Sequence, residues 1–255
     1  MLLAIDAGNT NIVFAIFKDD EIIGQWRVSS DSGRTADEYA VILKELLSLK
    51  DIEFAKINGV IISTVVPQNL FELKNLSKRY FDITPLVIGE KNVRANIKID
   101  VDRTSEVGAD RLVNAYAAYQ EYKTALIIID FGTATTFDVV SNDGTYIGGL
   151  ISPGINLSMD ALHHAAAKLP EIAIAKPEKI IGRSTVKAMQ SGVYFGYIGL
   201  IEGIVARVKK EYGGDMIIIA TGGLASLFAK GTKVIDHLQA DLTIKGLHNI
   251  FKSTN

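Results

Sequence analysis

Two short runs of this chain carry residue types that handle phosphate. Asp6-Ala7-Gly8-Asn9-Thr10 follows an apolar stretch, Leu2 to Ile5, and precedes another, Asn11 to Phe17. Glycine lets backbone amides approach an anion closely. The Thr10 hydroxyl and the Asn9 amide can donate to phosphate oxygens. The carboxylate of Asp6 suits a hard cation such as Mg²⁺, held directly or through water. Asp130-Phe131-Gly132-Thr133-Ala134-Thr135 repeats the device after the apolar run Ala125 to Ile129. Two such hairpins facing each other across a cleft would clamp a polyphosphate from both sides. One such motif alone is more often a tight turn with a solvated Asp, but two in matched register reverse that weighting.

Three further clusters have the right types for chemistry. Gly108-Ala109-Asp110-Arg111 opens a helical pattern, where the helix dipole favours a carboxylate. Asp110 could accept the proton of an attacking hydroxyl, and Arg111 could bind the acceptor or developing charge. On residue types alone, a first-turn Asp beside a surface Arg is the plainer reading. Thr221-Gly222-Gly223 follows the apolar run Met216 to Ala220 and opens a helix. Glycines there would let a base or ribose pack on the backbone, or would simply serve the strand-to-helix turn. His163 and His164 are adjacent on a helical pattern, so they point to different faces and suit local packing better than a metal.

The elements that must position these residues are legible in outline. Leu2 to Ile5, Asn11 to Phe17 and Glu21 to Val28 predict a three-stranded meander, with a turn at Lys18-Asp19-Asp20. Thr35-Ala36-Asp37-Glu38 has the form of a capping box, and Tyr39, Ile42, Leu43, Leu46 and Leu47 follow at helical spacing. Val60 to Val66 predicts a buried strand ended by Pro67, Asn69 to Tyr80 a helix and Leu86 to Ile88 a strand. Helices are expected at Leu157 to Lys168, Thr185 to Tyr212, Leu224 to Ala229 and Asp241 to Phe251. An offset of 124 residues takes Asp6 to Asp130, Gly8 to Gly132, Thr10 to Ala134 and Gly24 to Gly148. A register shared by two strands, a turn and a third strand argues for two related lobes. The boundary is expected within a helix starting around Glu106, giving lobes 1–115 and 116–255.

Composition narrows the function classes. With 255 residues, 48% hydrophobic and 22% charged, the chain has ordinary globular values. A net charge of −2 gives no electrostatic case for nucleic acid or an anionic membrane. No cysteine is present, which excludes disulfides and thiolate chemistry and fits a cytoplasmic protein. The longest apolar runs fall far short of the roughly 20 residues that span a bilayer.

Taken together, the motifs resemble type III pantothenate kinases, a family of the acetate and sugar kinase/heat-shock ATPase/actin superfamily. The resemblance covers nearly the whole chain. It rests on Asp6 to Asn11, Ser63-Thr64-Val65-Val66-Pro67, Gly108 to Arg111, Asp130 to Thr135, Gly148 to Gly154 and Thr221-Gly222-Gly223. It implies an α/β fold of two RNase H-like, actin-like ATPase lobes, with mixed five-stranded-type sheets flanked by helices. It implies ATP-dependent phosphorylation of pantothenate, Mg²⁺, a monovalent cation (K⁺ or NH₄⁺) and a homodimer. By position, the resemblance makes Asp110 the proton acceptor. It gives ATP contacts at Asp6, Ala7, Gly8, Asn9, Thr10, Asn11, Ile12, Val13 and Thr133. It gives pantothenate contacts at Gly108, Ala109, Asp110, Arg111 and Thr185. Spacing alone allows Asp130 to hold Mg²⁺; the resemblance moves it to the monovalent cation and leaves Asp6 for Mg²⁺. Where the family usually has a Tyr and a Pro before its Gly-Ala-Asp-Arg motif, this chain has Val101 and Thr104. The family's Tyr contacts substrate: if only that contact is lost the cost is about 0.5–1.5 kcal/mol, and if the loop is reshaped the substrate itself could differ. The alternatives are a related small-molecule kinase with another hydroxyl acceptor, or a non-catalytic nucleotide-binding regulator.

Overall fold

A computed structural model of the chain describes residues 1–90, 93, 95–165 and 169–254. In chain order the elements are β1 (Leu2–Ala7), β2 (Asn11–Lys18), β3 (Glu21–Ser29), α1 (Ala36–Ser48), β4 (Gly59–Thr64), α2 (Pro67–Phe81), β5 (Leu86–Val87), β6 (Lys98–Ile99), α3 (Ala109–Tyr122), β7 (Leu126–Phe131), β8 (Ala134–Val140), β9 (Thr145–Pro153), α4 (Ile155–Ala165), α5 (Thr185–Tyr212), β10 (Ile217–Gly222), α6 (Ala225–Ala229), β11 (His237–Leu238) and α7 (Leu242–Thr254). They fall into two compact units, one of Met1–Lys98, Asp102–Ala117 and Leu242–Asn255, the other of Ile99–Val101 and Ala118–Asp241.

The first unit is a five-stranded mixed sheet in the order β3-β2-β1-β4-β5. β1 pairs antiparallel with β2 and parallel with β4. Leu3, Ile5, Phe14, Ile16, Val60 and Ile62 face one layer, where Tyr39, Leu43 and Leu47 of α1 and Leu73 and Leu76 of α2 cover them. Leu2, Ala4, Ala15, Phe17 and Ile61 face the other layer, beneath Val113 and Tyr116 of α3 and Ile244, Leu247 and Ile250 of α7. Burial on both faces is why β1 and β4 read as continuous apolar runs. The capping box of α1 forms as its sequence predicts: the Glu38 amide donates to the Thr35 hydroxyl while the Thr35 amide donates to the Glu38 carboxylate. Pro67 does more than end a strand. It is the first residue of α2, where its fixed φ suits the helix and its missing N–H costs nothing.

The second unit is a mixed sheet in the order β11-β10-β7-β8-β9-β6. It has six strands rather than five because β6 adds an edge. Ile127, Ile129 and Phe137 pack against Tyr194, Tyr197, Ile201 and Val205 of α5 and Phe228 of α6. α5 spans the predicted residues, starting after the N-cap Ser184 and ending at Gly213 in a left-handed conformation. α4 begins two residues earlier than its periodicity predicts, and residues 166–168 of the expected helix lie outside the described residues.

The internal repeat holds at the level of strand register. β7 and β9 repeat β1 and β3 at the offset of 124 residues. β8 repeats β2 at 123, because Asp6 faces Val13 whereas Asp130 faces Thr136. Ala134 is therefore the counterpart of Asn11, not of Thr10, and the second hairpin turn is one residue shorter than the first. Even a backbone irregularity is copied: Ile16 opposes Gly24 and Val139 opposes Gly148, and each pair is followed by a bulge. The division between units falls at Ala117/Ala118, inside α3, and α7 joins the first unit although it is the last segment in sequence.

Candidate active site

The first hairpin is built by a backbone closure. The Gly8 amide donates to the Asn11 carbonyl at 2.9 Å, leaving Asn9 and Thr10 exposed at the tip. A Cβ on Gly8 would meet that same carbonyl at 3.3 Å. Two donors from the segment after β4 tie down the Ala7 carbonyl: the Val65 amide at 3.3 Å and the Thr64 hydroxyl at 3.2 Å. This gives the Ser63 to Pro67 motif a physical task that its residue types did not announce. Ile12 lies in the core beneath the hairpin. Val13 packs on the opposite layer, with the α3 side of the sheet.

Asp6 is the last residue but one of β1 and is half-buried. Its neighbour in register on β4 is Ser63, which has no exposed surface. Alternation along a strand puts Asp6 on the face of Leu2 and Ala4, and Ser63 on the face of Ile61. That is the face covered by α3, where Ala109 and Leu112 pack. Asp6, Ser63 and the helix turn carrying Asp110 thus belong to one face of one sheet. The Ser63 hydroxyl oxygen is buried and has no hydrogen-bond partner. A carboxylate beside an unsatisfied hydroxyl is an all-oxygen donor set, which fits Mg²⁺.

Asp110 lies in the first turn of α3. Its Oδ1 accepts the Arg111 amide at 2.8 Å. A Cβ on Gly108 would stand 2.5 Å from that oxygen, so the glycine lets the carboxylate fold back over the chain. Burial pushes the Asp110 carboxyl above the ordinary 3.8, and the amide and guanidinium of Arg111 recover only part of that shift. The carboxylate therefore holds a proton more tightly than a surface Asp, which is the direction a general base needs.

The second hairpin is held from two sides. The Gly132 amide donates to the Ala134 carbonyl at 3.1 Å, and the Gly154 amide to the Thr133 carbonyl at 3.1 Å. Asp130, near the end of β7, has two hydroxyl-bearing residues, Thr136 and Thr221, as its register partners on the neighbouring strands. Oxygen donors of this kind fit a monovalent cation. Behind Thr136, the fully buried Asp138 accepts the Thr136 hydroxyl at 3.1 Å and the Tyr146 hydroxyl at 2.8 Å. Sequence reasoning missed Asp138. Its signal is an acid set inside an otherwise apolar run, Phe137 to Val140.

Thr185 is the first residue of α5 and borders an open hollow of about 770 Å³. Arg183 and Ser184 give the hollow polar walls, and Leu162, Met189 and Val193 give it apolar ones. Val101 is half-buried, while Thr104 is exposed and opens a short 3-10 turn ahead of Gly108. His163 is tied down locally, its Nδ1–H donating to the Leu169 carbonyl at 2.7 Å. Its ring lies 5.4 Å from that of His164. Among the described residues, no cluster of three or more His, Asp or Glu forms a ready-made metal cage. No helix among them is long and apolar enough to cross a membrane.

Comparison with known proteins gives a consistent result. The family model for type III pantothenate kinase matches residues 2–207. A type III pantothenate kinase of Paramagnetospirillum magneticum is 59% identical over 99% of this chain and 97% of its own length. One of Maricaulis maris is 58% identical over the same shares. Among solved structures, component A of (R)-2-hydroxyglutaryl-CoA dehydratase from Acidaminococcus fermentans superposes with a TM-score of 0.55. It is 15% identical and covers 99% of this chain and 98% of that one, a likeness that shows the fold alone.

Proposed function

The chain belongs to the type III pantothenate kinase family, and from that membership we infer that it uses ATP to phosphorylate the terminal hydroxyl of pantothenate. The product is 4′-phosphopantothenate, and the reaction opens coenzyme A biosynthesis.

The observation that carries the residue assignment is Asp110. It is a carboxylate of raised proton affinity, packed over Gly108 and beside Arg111 at the start of a helix. Asp110 takes the proton of the pantothenate hydroxyl as its oxygen bonds to the γ-phosphorus. The bond between that phosphorus and the bridging oxygen breaks, and ADP leaves with the electron pair. Gly108, Ala109 and Arg111 hold the acceptor, and Arg111 offsets charge. Amides and hydroxyls of the stretch Asp6 to Val13, together with Thr133, hold the ATP phosphates. Asp6 would hold Mg²⁺, which when bound neutralises phosphate charge. Asp130 would hold K⁺ or NH₄⁺. Thr185 is a further pantothenate contact, and the apolar walls of its hollow suit the aliphatic body of that molecule.

A homodimer has a candidate face in the second unit. Ile147, Leu150 and Ile151 of β9 and Leu157 and Leu162 of α4 are exposed, and so are Ile180, Ile181 and Val186. Exposed apolar residues that group into one contiguous patch mark interaction surfaces. The compartment we propose is the cytoplasm. A second reading, a kinase for another alcohol, draws on Val101 and Thr104 standing where the family has a substrate-contacting Tyr and a Pro.

ADP release, measured with ATP and Mg²⁺, with and without pantothenate, in K⁺ and then in Na⁺, tests both readings. Turnover that needs pantothenate and K⁺ supports the first. Saturable ATP binding with pantothenate inert transfers the assignment to another alcohol.

A further inference from the structure

Buried polar groups in folded proteins are nearly always hydrogen-bonded, because leaving one unsatisfied forfeits its hydration for nothing. The Ser63 hydroxyl breaks that rule at a telling place. It has no exposed surface and no hydrogen-bond partner, and it adjoins Asp6 in strand register. Its neighbours on β4, Val60, Ile61 and Ile62, are all apolar and buried, so an alanine at position 63 would complete an ordinary core strand. The next residue, Thr64, places its hydroxyl against the Ala7 carbonyl and needs nothing more. Ser63 therefore carries a polar atom that the folded chain itself does not use, on the face shared by Asp6 and α3.

We propose that Ser63 is a positioning residue for the divalent cation, its hydroxyl oxygen accepting a hydrogen bond from a water molecule that the cation carries. Water on a divalent cation is a strong donor and needs acceptors arranged around it. Asp6 supplies a charged acceptor and Ser63 a neutral one on the adjacent strand. Two acceptors at a strand spacing of about 4.8 Å suit two sites of one hydration shell. This inference rests on the reading of Asp6 as the Mg²⁺ residue.

The test uses the full chain, with Mn²⁺ as the probe and a non-hydrolysable ATP analogue, and follows free Mn²⁺ by electron paramagnetic resonance. Ser63→Ala should weaken Mn²⁺ binding about 3–10-fold, the worth of one net hydrogen bond. It should also leave the thermal midpoint of the ligand-free protein unchanged or raised, because the variant removes an unsatisfied buried group. A structural hydroxyl would behave in the opposite way, lowering the midpoint and sparing the metal. Unchanged Mn²⁺ affinity in Ser63→Ala overturns the inference, as does a lowered midpoint. Asp6→Asn separates the two claims. If it weakens Mn²⁺ binding while Ser63→Ala does not, the inference fails and the reading of Asp6 stands. If Asp6→Asn leaves Mn²⁺ binding intact, both fall.

Discussion

A Cβ atom on Gly222 would stand 2.5 Å from Oδ1 of Asp130. The two residues sit on adjacent parallel strands, and Gly222 has a φ of +91°, a conformation that side chains other than glycine rarely adopt. The same Cβ would lie 2.7 Å from both the amide nitrogen and the carbonyl oxygen of Phe131. The glycine that ends β10 is therefore what leaves room for the Asp130 carboxylate near the end of β7.

Gly222→Ala should destabilise the protein by about 1–3 kcal/mol, the cost of a strained backbone conformation. Because the new methyl displaces the Asp130 carboxylate, the K⁺ concentration giving half-maximal turnover should rise as well. Chemical denaturation and a K⁺ titration of activity read the two effects separately. A variant with parental stability would show that the backbone relaxes around the methyl.

Gly154→Ala aims a methyl at the Thr133 carbonyl, only 2.1 Å from where it would sit. The turn Gly132-Thr133 must shift, and it is a proposed phosphate contact. We expect a raised KM for ATP, with a smaller change in KM for pantothenate, in steady-state kinetics.

Asp110→Asn should lower kcat by about 10²–10⁴-fold, the usual worth of a general base. ATP affinity by calorimetry should stay close to the parent's. Turnover retained at the parental rate would remove Asp110 from the base role.

The raised proton affinity of Asp110 also has a sign for stability. Its folded form holds the proton to higher pH than the unfolded chain does, so its ionisation opposes folding. The stability it costs is absent below the ordinary value of 3.8 and appears as pH rises through the higher folded value. Asp110→Asn should therefore be more stable than the parent at neutral pH, and the advantage should shrink as the pH falls toward 3.8. Thermal midpoints of both proteins across that range check the trend.

A fragment of residues 1–117 should not melt cooperatively, because Ile244, Leu247 and Ile250 of α7 complete the core layer beneath α3. Joining residues 242–254 to it through a flexible linker should restore the transition, as followed by circular dichroism. A cooperative melt without α7 would show that this layer is dispensable.

Much of the site was readable from short windows. Asp6-Ala7-Gly8 and Asp130-Phe131-Gly132 announce strand ends followed by turns, and the closures at Gly8 and Gly132 form there. Thr35 and Glu38 announce a helix start that the structure reproduces atom by atom. Asp110 fell on the first turn of a helix as its pattern predicts. The two-residue strands β6 and β11 left no such mark, because each pairs one polar with one apolar residue and two residues carry no period, whereas the equally short β5 lies in the apolar run Leu86 to Ile88. Asp138 was hidden for the opposite reason: it sits in a run whose apolar character outweighs one acid, and its partner Tyr146 lies on the next strand.

The sequence by itself determined that two Asp-x-Gly hairpins exist, that they are related copies, and which family the chain belongs to. Those properties live in residue type and local order. Only the tertiary structure decided that the second copy has a shorter turn, that α7 returns to the first unit, that Gly222 makes room for Asp130 and that Ser63 stands beside Asp6. Each of these depends on backbone brought together from distant parts of the chain. Strand pairing and close packing act through space, and a linear pattern carries no record of which neighbour a residue will meet.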